Sequence, residues 1–150
     1  MDKIAPTLKE LKTNFNKGIS KDVSFRKAQL HALAKGVSDM ASELKAGCMK
    51  DLGRCEFFTE IGEMSGIIDH CHHNLEHLDD FVKDVYFDPP LLLAPNSTRI
   101  KYEPLGVVLI FGSWNYPYYV TLKPLVQAIA SGNCAIIKPS EMSPESSAVV

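Results

Sequence analysis

Two short loops hold the residues best suited to chemistry. The first is Gly112-Ser113-Trp114-Asn115-Tyr116-Pro117 and the second is Lys138-Pro139-Ser140-Glu141. Gly112 lets backbone approach a ligand closely, and Pro117 stiffens the turn that follows. Between them Asn115 presents a neutral carboxamide donor, the kind of group that stabilises negative charge developing on a carbonyl oxygen during nucleophilic addition. Lys138 brings three donors and Glu141 brings acceptors, a combination that suits the hydroxyls of a ribose. Each residue also has a plainer reading. Asn115 can bond its own turn, Trp114 can pack, and Lys138 with Glu141 can be a weak surface ion pair.

A third constellation is Asp69-His70-Cys71-His72-His73 with His77. On a helix His73 and His77 lie four apart, as do Asp69 and His73, so a metal site is geometrically open. No second ligand cluster completes it, and Cys71 falls on an apolar stripe. The expectation is a solvated helix face with no metal. The four cysteines, at 48, 55, 71 and 134, form no CxxC pair and are read as reduced thiols.

The elements that must position these loops follow from periodicity. Leu30, Leu33, Val37, Met40 and Leu44 step by three and four, which predicts a helix over 24–46 closed at Gly47. Ile67, Cys71, Leu75, Leu78 and Val82 predict another over 64–84, and Ile4, Leu8, Leu11 and Phe15 a shorter one near the start. Asp88-Pro89-Pro90 ends the helical part. Alternation over Thr98–Tyr102 reads as an exposed strand. The continuous apolar runs at 106–111 and 134–138 predict buried strands, and Val120, Leu122, Leu125, Val126 and Ile129 a helix between them closed by Gly132-Asn133. Strand, helix, strand with both strands apolar is the sequence form of a parallel βαβ unit, with its ligands expected at the carboxyl ends of the strands. Ser143-Pro144-Glu145 predicts a further helix start, with Ser143 as cap.

Composition narrows the function class. A length of 150 residues is one domain's worth of chain, and a net charge of −2 with pI near 6.2 argues against a nucleic-acid binder. The longest aliphatic and aromatic run, Val107–Phe111, is far short of the roughly 20 residues that cross a bilayer, and no signal segment opens the chain. A soluble, cytoplasmic protein is expected. Residues 1–85 carry 12 of 16 basic and 14 of 18 acidic side chains, so they read as solvated helices, whereas the later residues read as turns and covered strands.

Taken jointly, Glu103-Pro104-Leu105-Gly106-Val107-Val108-Leu109-Ile110-Phe111-Gly112-Ser113-Trp114-Asn115-Tyr116-Pro117 and Gly132-Asn133-Cys134-Ala135-Ile136-Ile137-Lys138-Pro139-Ser140-Glu141 resemble the aldehyde dehydrogenase superfamily. The resemblance is to its class 3 branch, which acts on fatty and aromatic aldehydes, and it extends to Phe25-Arg26, the Leu30/Leu33 stripe and Glu60. It implies an α/β fold: N-terminal helices over 1–85, an extended bridging or oligomerisation segment over 86–104, and over 105–150 the first βαβ of a Rossmann-like cofactor domain whose sheet is incomplete. It implies Asn115 as oxyanion donor, and Gly112, Ser113, Trp114, Lys138 and Glu141 as contacts to NAD, with NADP tolerated. Tyr118 and Tyr119 are candidates for an aldehyde tunnel. A homodimer is the implied assembly, and an aldehyde the implied substrate. No GxGxxG fingerprint is present.

The implied reaction is thiolate addition to the aldehyde, hydride transfer to a nicotinamide and thioester hydrolysis. In the family the nucleophile and the general-base glutamate lie beyond the position of Val150, and none of the four cysteines here stands in the nucleophile's context. Cys134, at the start of a strand, reads as a small core residue. The chain alone is therefore expected not to oxidise aldehydes, and to be poorly stable with an uncovered apolar sheet face. It is expected to be the N-terminal portion of such an enzyme; the alternative is a non-catalytic short isoform that pairs with full-length subunits.

Overall fold

The structure is a computed structural model and describes residues 4–150. Helices come first: α1 (Ile4–Asn16), α2 (Val23–Asp39), α3 (Ala41–Leu52), the short α4 (Glu56–Thr59) and α5 (Ser65–Phe81). A π-helical turn, Glu60–Met64, joins α4 to α5. A small hairpin-like pair follows, β1 (Val85–Phe87) and β2 (Thr98–Ile100), antiparallel with Tyr86 opposite Arg99. Last come β3 (Val107–Phe111), α6 (Tyr119–Ala130), β4 (Cys134–Lys138) and α7 (Pro144–Val149). β3 and β4 pair in parallel, in register from Val107–Cys134 to Phe111–Lys138. The α/β class and the incomplete parallel sheet are as the sequence implies.

The expected helix over 24–46 is two helices. Met40 interrupts the run with φ −95° and ψ 18°, and helical hydrogen bonding resumes at once, Leu44 N–H to Met40 O at 3.0 Å. The apolar stripe survives the break: Leu30, Val37 and Leu44 are buried, although Met40 itself is exposed. The terminator is Gly53, at φ +63°, rather than Gly47. Gly47 lies inside α3 for another reason. A Cβ there would stand 2.6 Å from the Tyr118 hydroxyl and 3.3 Å from the Glu145 carbonyl, so the glycine permits α3 and α7 to touch.

The core lies between α2, α5 and α6, built on Leu30, Ile67, Leu78, Tyr118, Leu122 and Val126. α6 and α1 both pack against the β3–β4 pair. That cover is partial, which corrects the expectation of a wholly buried strand. Ile110 is buried, but Leu109 is 56% and Phe111 69% exposed, because side chains alternate across a sheet and nothing among the described residues covers those two. β4 is only half-buried apart from its exposed end at Lys138, so Cys134 is not a fully enclosed core residue.

Candidate active site

The parallel ladder decides which loops meet. Phe111 stands opposite Lys138, and the Gly112 N–H donates to the Lys138 carbonyl at 3.0 Å, so both candidate loops leave neighbouring strands at the same end. This is the end where ligands bind to open parallel sheets. Gly112 serves packing here. A Cβ at that position would overlap the Thr121 hydroxyl and stand 3.5 Å from the Pro139 Cα, which brings α6 and the second loop against the first.

Within the first loop the Ser113 hydroxyl donates to Asn115 Oδ1 at 2.6 Å. The carboxamide oxygen is thereby committed, and the two Nδ2 donors have no partner among the described residues. Asn115 is exposed, and its side chain bonds Ser113 instead of its own backbone. Trp114 is 54% exposed and so is not the packing residue of the plainer reading.

The loop is held by two residues that the sequence reading did not single out. Glu63, in the π-helical turn, is fully buried. Its Oε2 accepts the Tyr118 N–H at 2.7 Å and the Tyr119 N–H at 3.2 Å, the first amides of α6, which has no capping side chain of its own. Its Oε1 pairs with Arg54 and accepts the Cys48 thiol at 3.4 Å. Arg54 in turn donates from its second terminal nitrogen to the Asn115 carbonyl at 2.5 Å, and its guanidinium lies 4.5 Å from the Tyr116 ring centroid. An ion pair thus bonds the Asn115 peptide and the start of α6 together. A readable signal existed: Glu63 stands one turn before Ile67 on the stripe that continues through Cys71, where a carboxylate must find partners or stay out of the core.

Carboxylates from the helical layer close both helix starts at this end. Asp51 accepts the Glu145 N–H at 3.2 Å and the Ser146 N–H at 2.7 Å, capping α7. Ser143 is at the cap position and Pro144 opens the helix as expected, but the Ser143 hydroxyl reaches back to the Ser140 carbonyl, so Asp51 does the capping. A diphosphate has no vacant helix start on α6, in keeping with the missing glycine fingerprint.

Lys138 and Glu141 pair with each other on the second loop, both exposed. The Lys138 ammonium holds the Glu141 carboxyl below its usual 4.5, so the group is an ionised acceptor at neutral pH. That chemistry fits a sugar hydroxyl. Tyr118 lines no tunnel: it is fully buried, its hydroxyl donates to the Leu44 carbonyl at 2.9 Å, and burial raises its pKa. Tyr119 is half-buried against Gly66, its hydroxyl 2.6 Å from Lys123 Nζ.

Among the cysteines, burial pushes Cys48 and Cys71 up to about 11, so neither is a thiolate at neutral pH. Cys55 begins the approach to α4, and Cys134 opens β4. Among the described residues no three His, Cys, Asp or Glu side chains converge as a metal-holding group. His73 and His77 lie ring to ring at 4.7 Å instead. No described helix is long and apolar enough to cross a membrane.

Over residues 7–150 the chain matches the aldehyde dehydrogenase family. It is 33% identical over 143 residues to "Aldehyde dehydrogenase, dimeric NADP-preferring" of Rattus norvegicus, covering 95% of this chain and 32% of that protein. It is 37% identical over 143 residues to "Aldehyde dehydrogenase family 3 member B1" of the same organism, with 95% and 31% covered. A solved structure of Staphylococcus aureus AldH in a substrate-bound state superposes with a TM-score of 0.96 at 36% identity, over 99% of this chain and 32% of that one. The chain therefore spans about a third of the length of the relatives it matches. Loop geometry, parallel register and these matches agree: the chain belongs to the aldehyde dehydrogenase family and is similar to its class 3 members.

Proposed function

We propose that this chain is the N-terminal portion of an NAD(P)-dependent aldehyde dehydrogenase that oxidises aldehydes to carboxylic acids, and that it supplies the oxyanion donor and part of the cofactor site. The observation that carries the reading is Asn115: its oxygen is taken by Ser113, its N–H groups have no partner among the described residues, and its loop leaves the end of a parallel strand. As a nucleophile adds to the aldehyde carbon, the carbonyl oxygen gains negative charge. A fixed N–H donor stabilises that charge more than it stabilises the neutral carbonyl, which lowers the barrier. Buried Cys48 and Cys71 are not thiolates at neutral pH, and in this reading the nucleophile comes from the rest of the full-length subunit.

The cofactor, when bound, supplies the hydride acceptor. Lys138 and Glu141 would hold its adenosine ribose, and Gly112, Ser113 and Trp114 would line its channel. Glu63 already accepts the first amides of α6, so those amides would not be the groups that hold the diphosphate. Glu141 favours NAD moderately; the NADP preference named for the rat relative supports tolerance of both. Residues 86–104 join subunits into a homodimer in the cytoplasm, a reading supported by the exposed Leu91 and Leu92 and by the word dimeric in that relative's name.

The test is Asn115→Ala in a full-length subunit containing this segment. kcat should fall about 10²–10³-fold, as when one oxyanion donor is removed, with cofactor affinity held. An unchanged kcat sinks the assignment.

A further inference from the structure

We propose that Arg54 and Glu63 are positioning residues for the Asn115 carboxamide: the ion pair sets the donor's geometry, through the Asn115 carbonyl on one side and the first amides of α6 on the other. The inference rests on the reading of Asn115 as oxyanion donor and extends it to two residues more than fifty positions upstream of it.

The argument starts from what fixes the loop. Between Gly112, tied to Lys138 by the strand ladder, and Tyr118, tied to Glu63, the chain makes no regular structure. Asn115 stands in the middle of that span. Its backbone carbonyl receives a 2.5 Å bond from Arg54, a charge-assisted contact of the strong class. Tyr116, the next residue, lies with its ring against the same guanidinium and beside the π-helical turn, where a Cβ at Gly62 would meet the ring at an ordinary contact distance of 3.7 Å. Arg54 therefore restrains both sides of the peptide that follows the donor.

Arg54 is itself immobilised by Glu63, whose carboxylate is buried and satisfied by four partners: Arg54, Cys48, Tyr118 and Tyr119. A hydrophobic pair would fill the same volume with less desolvation cost, so fold stability alone is a weak reason for ions here. Two directional bonds from one planar guanidinium, one to Glu63 and one to the Asn115 peptide, give what hydrophobic packing does not: a defined orientation. Donor placement within about half an ångström is what such a site requires.

The test uses a full-length subunit containing this segment, with kcat, aldehyde KM, cofactor affinity and melting temperature measured for each variant. Arg54→Lys keeps the charge opposite Glu63 but replaces two terminal nitrogens with one. It should hold melting temperature and cofactor affinity while kcat falls about ten- to a hundredfold and KM changes less than about threefold. Arg54→Gln should lower kcat further, yet add less than about threefold when placed on top of Asn115→Ala, because the group it positions is gone. Wild-type kcat in Arg54→Lys, or full multiplicative loss in the double variant, overturns the inference. A kcat that survives Asn115→Ala alone instead overturns the underlying reading of Asn115. Should Arg54→Gln fail to fold, the double variant Arg54→Lys with Asn115→Ala decides the same question.

Discussion

Glu141 and Lys138 occupy each other on an exposed turn, so a sugar hydroxyl that bonds Glu141 does so beside an ammonium already bound to it. In the proposed cofactor site the carboxylate would accept from a 2′-hydroxyl, whereas a 2′-phosphate would set negative charge against negative charge, partly offset by Lys138. Glu141→Gln in the full-length enzyme should raise relative use of NADP, and Lys138→Ala should weaken both cofactors. The ratio of kcat/KM values for the two is the measurement, and an unchanged ratio in Glu141→Gln makes that residue a surface acid and nothing more. Because Lys138 holds the carboxyl below 4.5, the preference should be flat with pH across the neutral range. The position of these two residues and Asn115 just past strand ends was legible because the apolar runs of β3 and β4 stop beside them. Glu63 and Arg54 were harder to read, since a charged residue between two helices looks like any solvated one until its partners are placed.

At the scale of elements, polar residues that fall on an apolar stripe carry more information than the stripe itself. Arg26 precedes Leu30 by one turn and is buried, its guanidinium donating to the carbonyls of Ser20, Lys21 and Ala130 at 3.1, 2.6 and 3.2 Å. Glu63 precedes Ile67 in the same way. β3, β4 and α6 were readable from apolar patterning and from Gly132, which takes φ +83° and leaves room for the Arg26 guanidinium. The break at Met40 was not, because the three-and-four spacing of apolar residues runs through it unchanged. β1 was missed too, being three exposed residues with no face to bury. Asp51 offers a clean test of a cap supplied from another helix. Burial works to raise its carboxyl, but the Ser146 and Glu145 amides outweigh that and hold it below 3.8. Its contribution is thus present above pH 3.8 and lost as pH falls through the lower folded value. Asp51→Ala should speed amide exchange at Ser146 about tenfold at neutral pH, the effect of a lost cap of ~1.4 kcal/mol. The ratio to wild type should shrink toward one in strong acid; a ratio independent of pH would mean that the carboxylate is not the cap.

For the whole molecule the dominant fact is uncovered apolar surface. Leu109 and Phe111 on β3, together with Leu91, Leu92 and Leu105, are all exposed, and among the described residues β3 and β4 form a sheet of only two strands, with their outer edges unpaired. Such a surface associates in water. The 150-residue chain should bind a hydrophobic dye, run larger than 16.6 kDa on size exclusion and melt broadly. A monomer with a sharp, reversible transition would show that the exposed residues are tolerated. α6 sets a further limit on how this assembly can move. An anion grips its first amides and a cation its last turn, each in line with the helix dipole. It is a strut pinned at both ends: an axial slip of one residue, about 1.5 Å, would break both grips at once. Any travel that accompanies ligand capture must then be rotation of side chains within 112–117, or motion of helices and sheet as one body, with no gliding of the helix beneath the site.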